Sequence, residues 1–309
     1  MTSQKETARE LLATADEAPE TLDVDEVLEH VAYRDPTIRT VALRALGAVA
    51  NDDPERVIPH LEDLRTHLDD EFLASTTAAT AVFGFVAEEH PDAVASAVPD
   101  LVDLLDQEPP LLRFRAAMAL KSLLLEHRDA FVPQADQLVD VLVDGPRVDI
   151  PDPDGPEIPE DQREDVRELI ESREKEFNQD AARSKGVFEF AANAVVEIAE
   201  EDPDELLDRV DDIATMVDAE QPLVRAAVID TLATLAETDP DAVAPAVDAL
   251  RNQLDDEHEY IRAHAVRALG FAEATDAADD VRALAEDDDV DEDLRELAAD
   301  TADWLDAQD

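Results

Sequence analysis

Seven histidines are the first residues to weigh for chemistry: His30, His60, His67, His90, His127, His258 and His264. A metal centre on a helix calls for ligands one turn apart, as in His-x-x-x-His, where i and i+4 share a face. No pair has that spacing. His60 to His67 and His258 to His264 are seven and six residues apart, which is not a chelating spacing. The chain has no cysteine, which excludes a thiolate zinc site, a cysteine nucleophile and a disulfide framework. It contains no G-x-S-x-G, no G-x-G-x-x-G and no phosphate-binding G-K-S/T. With 80 Asp and Glu, close acid pairs such as those in Asp287–Asp289 arise by chance and do not identify an acid–base couple. The expectation is no catalytic residue, no metal, no cofactor and no enzymatic activity.

Recognition is better served. LLRFRAAMALK sets Phe114 and Arg115 beside Arg113, with Lys121 farther along the same helix. Between residues 163 and 185, Arg163, Arg167, Arg173, Lys175, Arg183 and Lys185 reverse the acidic composition, while Val166, Leu169, Ile170 and Phe177 line one side. Aromatic and Arg residues are the usual anchors of interfaces. Phe114, Arg115, Lys121, Arg163, Arg167, Arg173 and Phe177 are therefore the candidate partner-binding residues. The competing reading has Phe114 packed between helices, and a charged helix lying on the protein's own surface with its charges paired at i, i+4.

The elements that carry these residues repeat. DPERVIPHLEDLRTHL from Asp53, HPDAVASAVPDLVDLL from His90 and HRDAFVPQADQLVDVL from His127 start 37 residues apart. DPDELLDRVDDIATMV from Asp202 and DPDAVAPAVDALRNQL from Asp239 keep the same step after one longer gap. A second set, TIRTVALRAL, LLRFRAAMAL, PLVRAAVIDTL and YIRAHAVRAL, holds the same register, with Arg39, Arg113, Arg225 and Arg262 in one column. Both sets are amphipathic at helical spacing: Val57, Ile58, Leu61, Leu64 and Leu68 in one, Ala42, Ala45, Leu46 and Val49 in the other. Asp-Pro or His-Pro opens four of these five first helices. Pro59, Pro133 and Pro245 share one position and are expected to bend it. No stretch alternates with period two. The fold class is all-α, a stack of helical hairpins.

An Asp-rich turn, then apolar-Arg, then Ala and Leu at helical spacing after a proline-bent helix resembles the HEAT repeat, in its short archaeal and bacterial form related to phycobilin-lyase repeats. The resemblance covers residues 18–306 and implies a single α-solenoid domain, 1–309, of about seven hairpins. Their second helices are expected to begin near Asp35, Phe72, Pro110, Lys185, Gln221, Glu257 and Val290. Residues 1–17 form an N-terminal cap, 18–144 and 184–309 carry repeats, and 145–183 is a Pro-rich and charged-helix insertion within the fourth hairpin. Trp304 is expected to seal the last hairpin. Thr76 and Phe188 replace the repeat arginine in two hairpins.

The resemblance further implies that Arg39, Arg113, Arg225, Arg262 and Arg295 form a structural ladder, each bonding the turn aspartate of its own or the adjacent repeat, with Asp35, Asp106, Asp218, Asp255 and Asp289 four to seven residues upstream. It also implies a protein-binding scaffold on the solenoid's curved face, the alternative being a lyase-type HEAT-repeat enzyme or chromophore-handling protein. A di-iron HEAT-repeat hydroxylase needs several His-Glu pairs, and the chain has one, His258-Glu259.

The formal charge is −55, from 25 Lys and Arg against 80 Asp and Glu, and only four of the cations are Lys. Scarce Lys beside abundant acid resembles the proteins of salt-accumulating haloarchaea. At molar salt the screening length falls to about 3 Å, so self-repulsion largely vanishes. Because nucleic-acid binding wants a basic stripe, it is not expected. The absence of a long apolar run and of a signal-like h-region in Met1–Glu10 implies no membrane span and a cytoplasmic monomer.

Overall fold

The computed structural model describes residues 2–147, 158–159 and 162–308, and every regular element among them is helical. The longer helices in chain order are α1 (Thr2–Glu17), α2 (Val24–Val31), α3 (Pro36–Asp52), α4 (Leu73–Glu89), α5 (Pro110–Leu123) and α6 (Ala135–Asp144). They are followed by α7 (Arg163–Glu201), α8 (Pro222–Thr238), α9 (Glu259–Phe271), α10 (Ala278–Ala285) and α11 (Glu292–Asp306).

Local chemistry explains the starts. Asp35 accepts the Thr37 N–H at 3.0 Å, with Pro36 in the first turn where its missing N–H is harmless. Ile38, Ala42, Leu43, Ala45, Leu46 and Val49 of α3 are then buried. The helices α3, α4 and α8 each run 17 residues without a break.

The partner helix of each hairpin is different in kind. It is cut into short α and 3₁₀ pieces, with Pro59, Pro133 and Pro245 in the 3₁₀ turns Ile58–His60, Val132–Gln134 and Ala244–Ala246. The same break occurs at Ala95–Ala97, where Ser96 stands in the proline's place. The ring therefore does not cause the break; it occupies a tight turn in which the backbone needs no donor.

The described residues fall into two compact units: Met1–Ala130 with Pro146–Val187, and Phe131–Gly145 with Phe188–Asp309. In the first, α1 buries Ala8, Leu11 and Ala15 and packs on α3, α3 packs on α4, and α4 on α5. In the second, α8 packs on α9, and α9 and α10 pack on α11.

Two features differ from expectation. The charged segment and the helix expected from Lys185 are one 39-residue helix, α7. Gly186 is the only weak former across that junction, and its penalty of about 1 kcal/mol is too small to end a helix without a proline or cap. The Pro-rich stretch before it lies outside the described residues at 148–157 and 160–161; ahead of it, Gly145 stops α6 with φ of +68°. At the other end, Trp304 does not seal the last hairpin: it is 42% exposed, and Leu305 is fully buried instead. The apolar stripe Leu294, Ala298, Ala302, Leu305 steps by four and three residues, which puts position 304 off the buried face.

Candidate partner-binding face

The repeat arginines are placed by the turn that precedes each second helix. Arg39, Arg225 and Arg262 each donate to the carbonyl six residues back, those of Tyr33, Ala219 and Asp256, at 3.0, 2.8 and 2.9 Å. Thr76 does the same to Asp70 at 3.0 Å, so a hydroxyl substitutes for the guanidinium. Of the two turn aspartates open to each arginine, Arg39 and Arg225 take the adjacent repeat's. Arg39 grips Asp70 with Nε at 2.5 Å and Nη2 at 2.7 Å, and Arg225 meets Asp256 at 2.8 Å; both aspartates belong to the following turn. Asp35 pairs with Lys5, Asp106 with Arg147, and Asp218 accepts from Gln253. Arg113 and Arg295 stand 3.4 and 3.6 Å from Glu108 and Asp288. Arg39 and Arg225 thus reach forward to the turn of the neighbouring hairpin, whereas Arg113 and Arg295 meet an acid of their own preceding turn.

Burial opposes ionisation of Asp70, but the Arg39 guanidinium, the Phe72 N–H and His67 outweigh it and hold the carboxyl below its ordinary value. Asp256 is held low in the same sense by His258 and Arg225 against the cost of burial. These are structural pairs, fixed and partly buried.

The expected recognition residues are less exposed than their sequence suggests. Phe114 and Arg115 are half-buried. A Cβ built on Gly186 of α7 would stand 3.1 Å from Phe114 Cε2, so the ring lies directly on that glycine. Arg115 donates to the Thr77 carbonyl of α4 at 2.9 Å. Lys121 is exposed on α5. On α7, Arg173 lies 5.6 Å over the Phe177 ring and pairs with Glu176 at 2.8 Å, which satisfies it within its own helix. Arg163 is half-buried and Arg167 exposed. The approach of α7 to Phe114 and Arg115 comes through Gly186 and Arg183, farther along the helix than Phe177.

Sequence reasoning missed a concavity among the described residues. A cavity of about 1000 Å³ opens on α3, α4 and α5. Gly47, Ala81 and Phe85 line it, with Phe72 and Leu73 at 43% and 44% exposure and two guanidiniums, Arg44 and Arg115. Arg44 reads in the sequence as an ordinary surface arginine. The available signal was the repeat column it occupies.

Metal-ligating chemistry is sparse. Among the described residues one group brings three ligating side chains together, Asp92, Glu126 and His127, with one atom of each within 4.8 Å of the others. His127 Nε2 is 3.1 Å from Asp92, and both carboxylates are exposed, so the cluster is an open surface ion pair. No helix among the described residues is long and apolar enough to cross a membrane.

Comparison with known proteins bears on the architecture. The family model for HEAT repeats matches residues 210–303. No curated protein matches the sequence. Among solved structures, the designed armadillo repeat protein YIII(Dq)4CqI is similar at 18% identity and a TM-score of 0.53, covering 81% of this chain and 100% of that one. A second, YIII(Dq.V1)4CPAF in complex with peptide (KR)4, gives 17% and 0.55 over the same shares. An engineered protein gives 18% and 0.53, covering 98% of this chain and 85% of the other. At these identities the likeness concerns the fold. The unbroken second helices, the recurring turn tether and these matches together make the chain an α-solenoid, with HEAT repeats matched over residues 210–303.

Proposed function

We propose that the chain is a non-catalytic interaction scaffold that holds a segment of a partner protein on its second-helix face, and that it works as a cytoplasmic monomer in concentrated salt. The observation that carries this is the cavity on α3, α4 and α5, where Phe72 and Leu73 stand exposed beside an alanine and glycine floor. A repeat protein buries each hairpin only against its neighbours, and apolar groups left on the inter-helix face are the surface such proteins offer to extended or helical segments. The peptide held by one designed armadillo relative supports this use of the fold. Two groups of chemical interest have structural partners: Arg39 tethers its turn, and His264 contacts Asp230. The concentrated-salt setting rests on a charge of −55 with four Lys, a composition of haloarchaeal type.

The test is purification from the native host at molar KCl, followed by mass spectrometry, metal analysis and absorbance. A stoichiometric protein partner that survives gel filtration is expected. A stoichiometric metal or bound chromophore in its place would overturn the scaffold reading in favour of a lyase-type enzyme.

A further inference from the structure

One column of the repeat lies on the exposed side of the second helices, and the two units fill it differently. In the unit that holds α8 and α9, the column is Asp230 and Arg267, 37 residues apart, and it closes on itself. Arg267 donates to Asp230 Oδ1 at 2.7 Å, and His264 Nδ1 lies 2.5 Å from the same oxygen. In the unit that holds α3 and α4, the column is Arg44, then Ala81, then Met118. The residue that follows Arg44 by one period is a methyl group, with nothing to accept a hydrogen bond.

Arg44 is exposed, and among the described residues no carboxylate pairs with it or with Arg115. Arg115 spends one N–H on the Thr77 carbonyl, and its charged neighbours are Arg44 and Arg183. Burial first, and then those two positive charges, draw its guanidinium below the ordinary value. Asp16 and Glu71 also line the cavity, yet neither bonds either guanidinium. In a chain with more than three acids per base, this lining holds as many guanidiniums as carboxylates; Asp16 and Glu71 are exposed to solvent, while Arg115 is half-buried with no carboxylate partner among the described residues.

We propose that this cavity seats a segment of the partner protein that presents an Asp or Glu carboxylate beside apolar side chains. The carboxylate meets Arg44 and Arg115, and the apolar groups lie on Ala81, Phe85 and the exposed Phe72. The proposal rests on the scaffold reading above and deepens it. The guanidiniums select the occupant: Arg44 and Arg115 have N–H donors without a carboxylate, whereas the exposed Asp16 and Glu71 are already solvated, and a small inorganic anion would leave the apolar wall wet. At molar salt, screening within about 3 Å removes the long-range repulsion between two acidic proteins and leaves the contact between guanidinium and carboxylate in place.

The experiment selects a random-peptide library on the full-length chain in molar KCl and measures the enriched peptides against wild type, Arg44→Ala and Arg44→Glu. Single-stranded oligonucleotides and inorganic phosphate serve as competing probes. Enriched peptides should carry Asp or Glu next to apolar residues and lose about tenfold or more in affinity to Arg44→Glu, with a smaller loss to Arg44→Ala. Both variants should melt like wild type, since Arg44 holds no intramolecular partner. Basic peptides, or acidic ones indifferent to Arg44→Glu, would overturn the cavity proposal and leave the scaffold reading standing. Tight oligonucleotide binding, or displacement of the peptide by phosphate alone, would overturn the proposal as well. A library that yields no peptide at all would count against both readings.

Discussion

The ring of Phe114 lies on Gly186, where an added Cβ would approach its Cε2 to 3.1 Å. Phe114 belongs to α5 and Gly186 to α7, so the glycine marks a point of contact between the long helix and α5. Gly186→Val should destabilise that unit by about 1–3 kcal/mol through overpacking. Gly186→Ala should cost far less, because about 1 kcal/mol of helix propensity offsets the crowding. Pairing Gly186→Val with Phe114→Leu should recover part of the loss in a thermal melt at molar salt. An unchanged double-mutant sum would show that the two residues do not touch.

The clamp of Arg39 on Asp70 carries a pH dependence whose sign is fixed. A carboxylate held below its ordinary value in the folded protein stabilises fully above about pH 4 and loses that contribution as pH falls through the lowered value. Stability measured by urea titration should therefore drop on acidification below about pH 4, and Arg39→Ala should flatten that dependence. Arg39→Ala should also cost about 2–3 kcal/mol near neutrality, since Asp70 is left 93% covered without its ion pair. Arg39→Lys should recover only part of it, because one ammonium cannot reproduce the two-pronged grip.

Arg209 gathers three carboxylates: Asp136 at 2.8 Å, Asp140 at 2.6 Å and Asp212 at 2.8 Å. Burial works against its charge, but the three acids outweigh that and raise its value above the ordinary one. Arg209→Gln should leave the acids repelling one another and lower stability by about 1–2 kcal/mol in modest salt. The deficit should shrink at molar KCl, where screening weakens both the lost attraction and the new repulsion. An equal deficit at both salt levels would mean that the residue acts by packing alone.

The whole chain should follow the same rule. Its charge of −55 is unscreened over about 10 Å near 0.1 M salt and over only about 3 Å at 1 M. Circular dichroism should show full helicity and a higher melting temperature in molar KCl, and a lower melting temperature with partial loss of helix in dilute buffer. A melting temperature that does not move with salt would refute this.

Much of the fold was legible because its punctuation is chemical. Asp35 with Pro36, and the prolines at 110 and 222, mark helix starts that the structure reproduces within a residue or two. The continuity of α7 was not legible, since a helix that fails to stop leaves no residue to read; the repeat register alone suggested a new start at Lys185. Trp304 was misjudged by residue type when its position off the apolar stripe decided the outcome. For the candidate face, Arg115 was singled out as one extra arginine, but its partner in the cavity, Arg44, was not. Only comparing the column Arg44–Ala81 with Asp230–Arg267 shows that one pair neutralises itself and the other cannot.

The broken first helices have a consequence for motion. Their 3₁₀ turns at Ile58–His60, Ala95–Ala97 and Ala244–Ala246 hold the backbone with poorer hydrogen-bond geometry than the unbroken turns of α3, α4 and α8. Amide exchange should therefore begin on the first-helix side of each hairpin and reach the 17-residue second helices last. The face proposed for a partner is then the stiff side of each hairpin. A segment that docks there meets a surface already ordered, and the entropy lost on binding falls almost wholly on the partner.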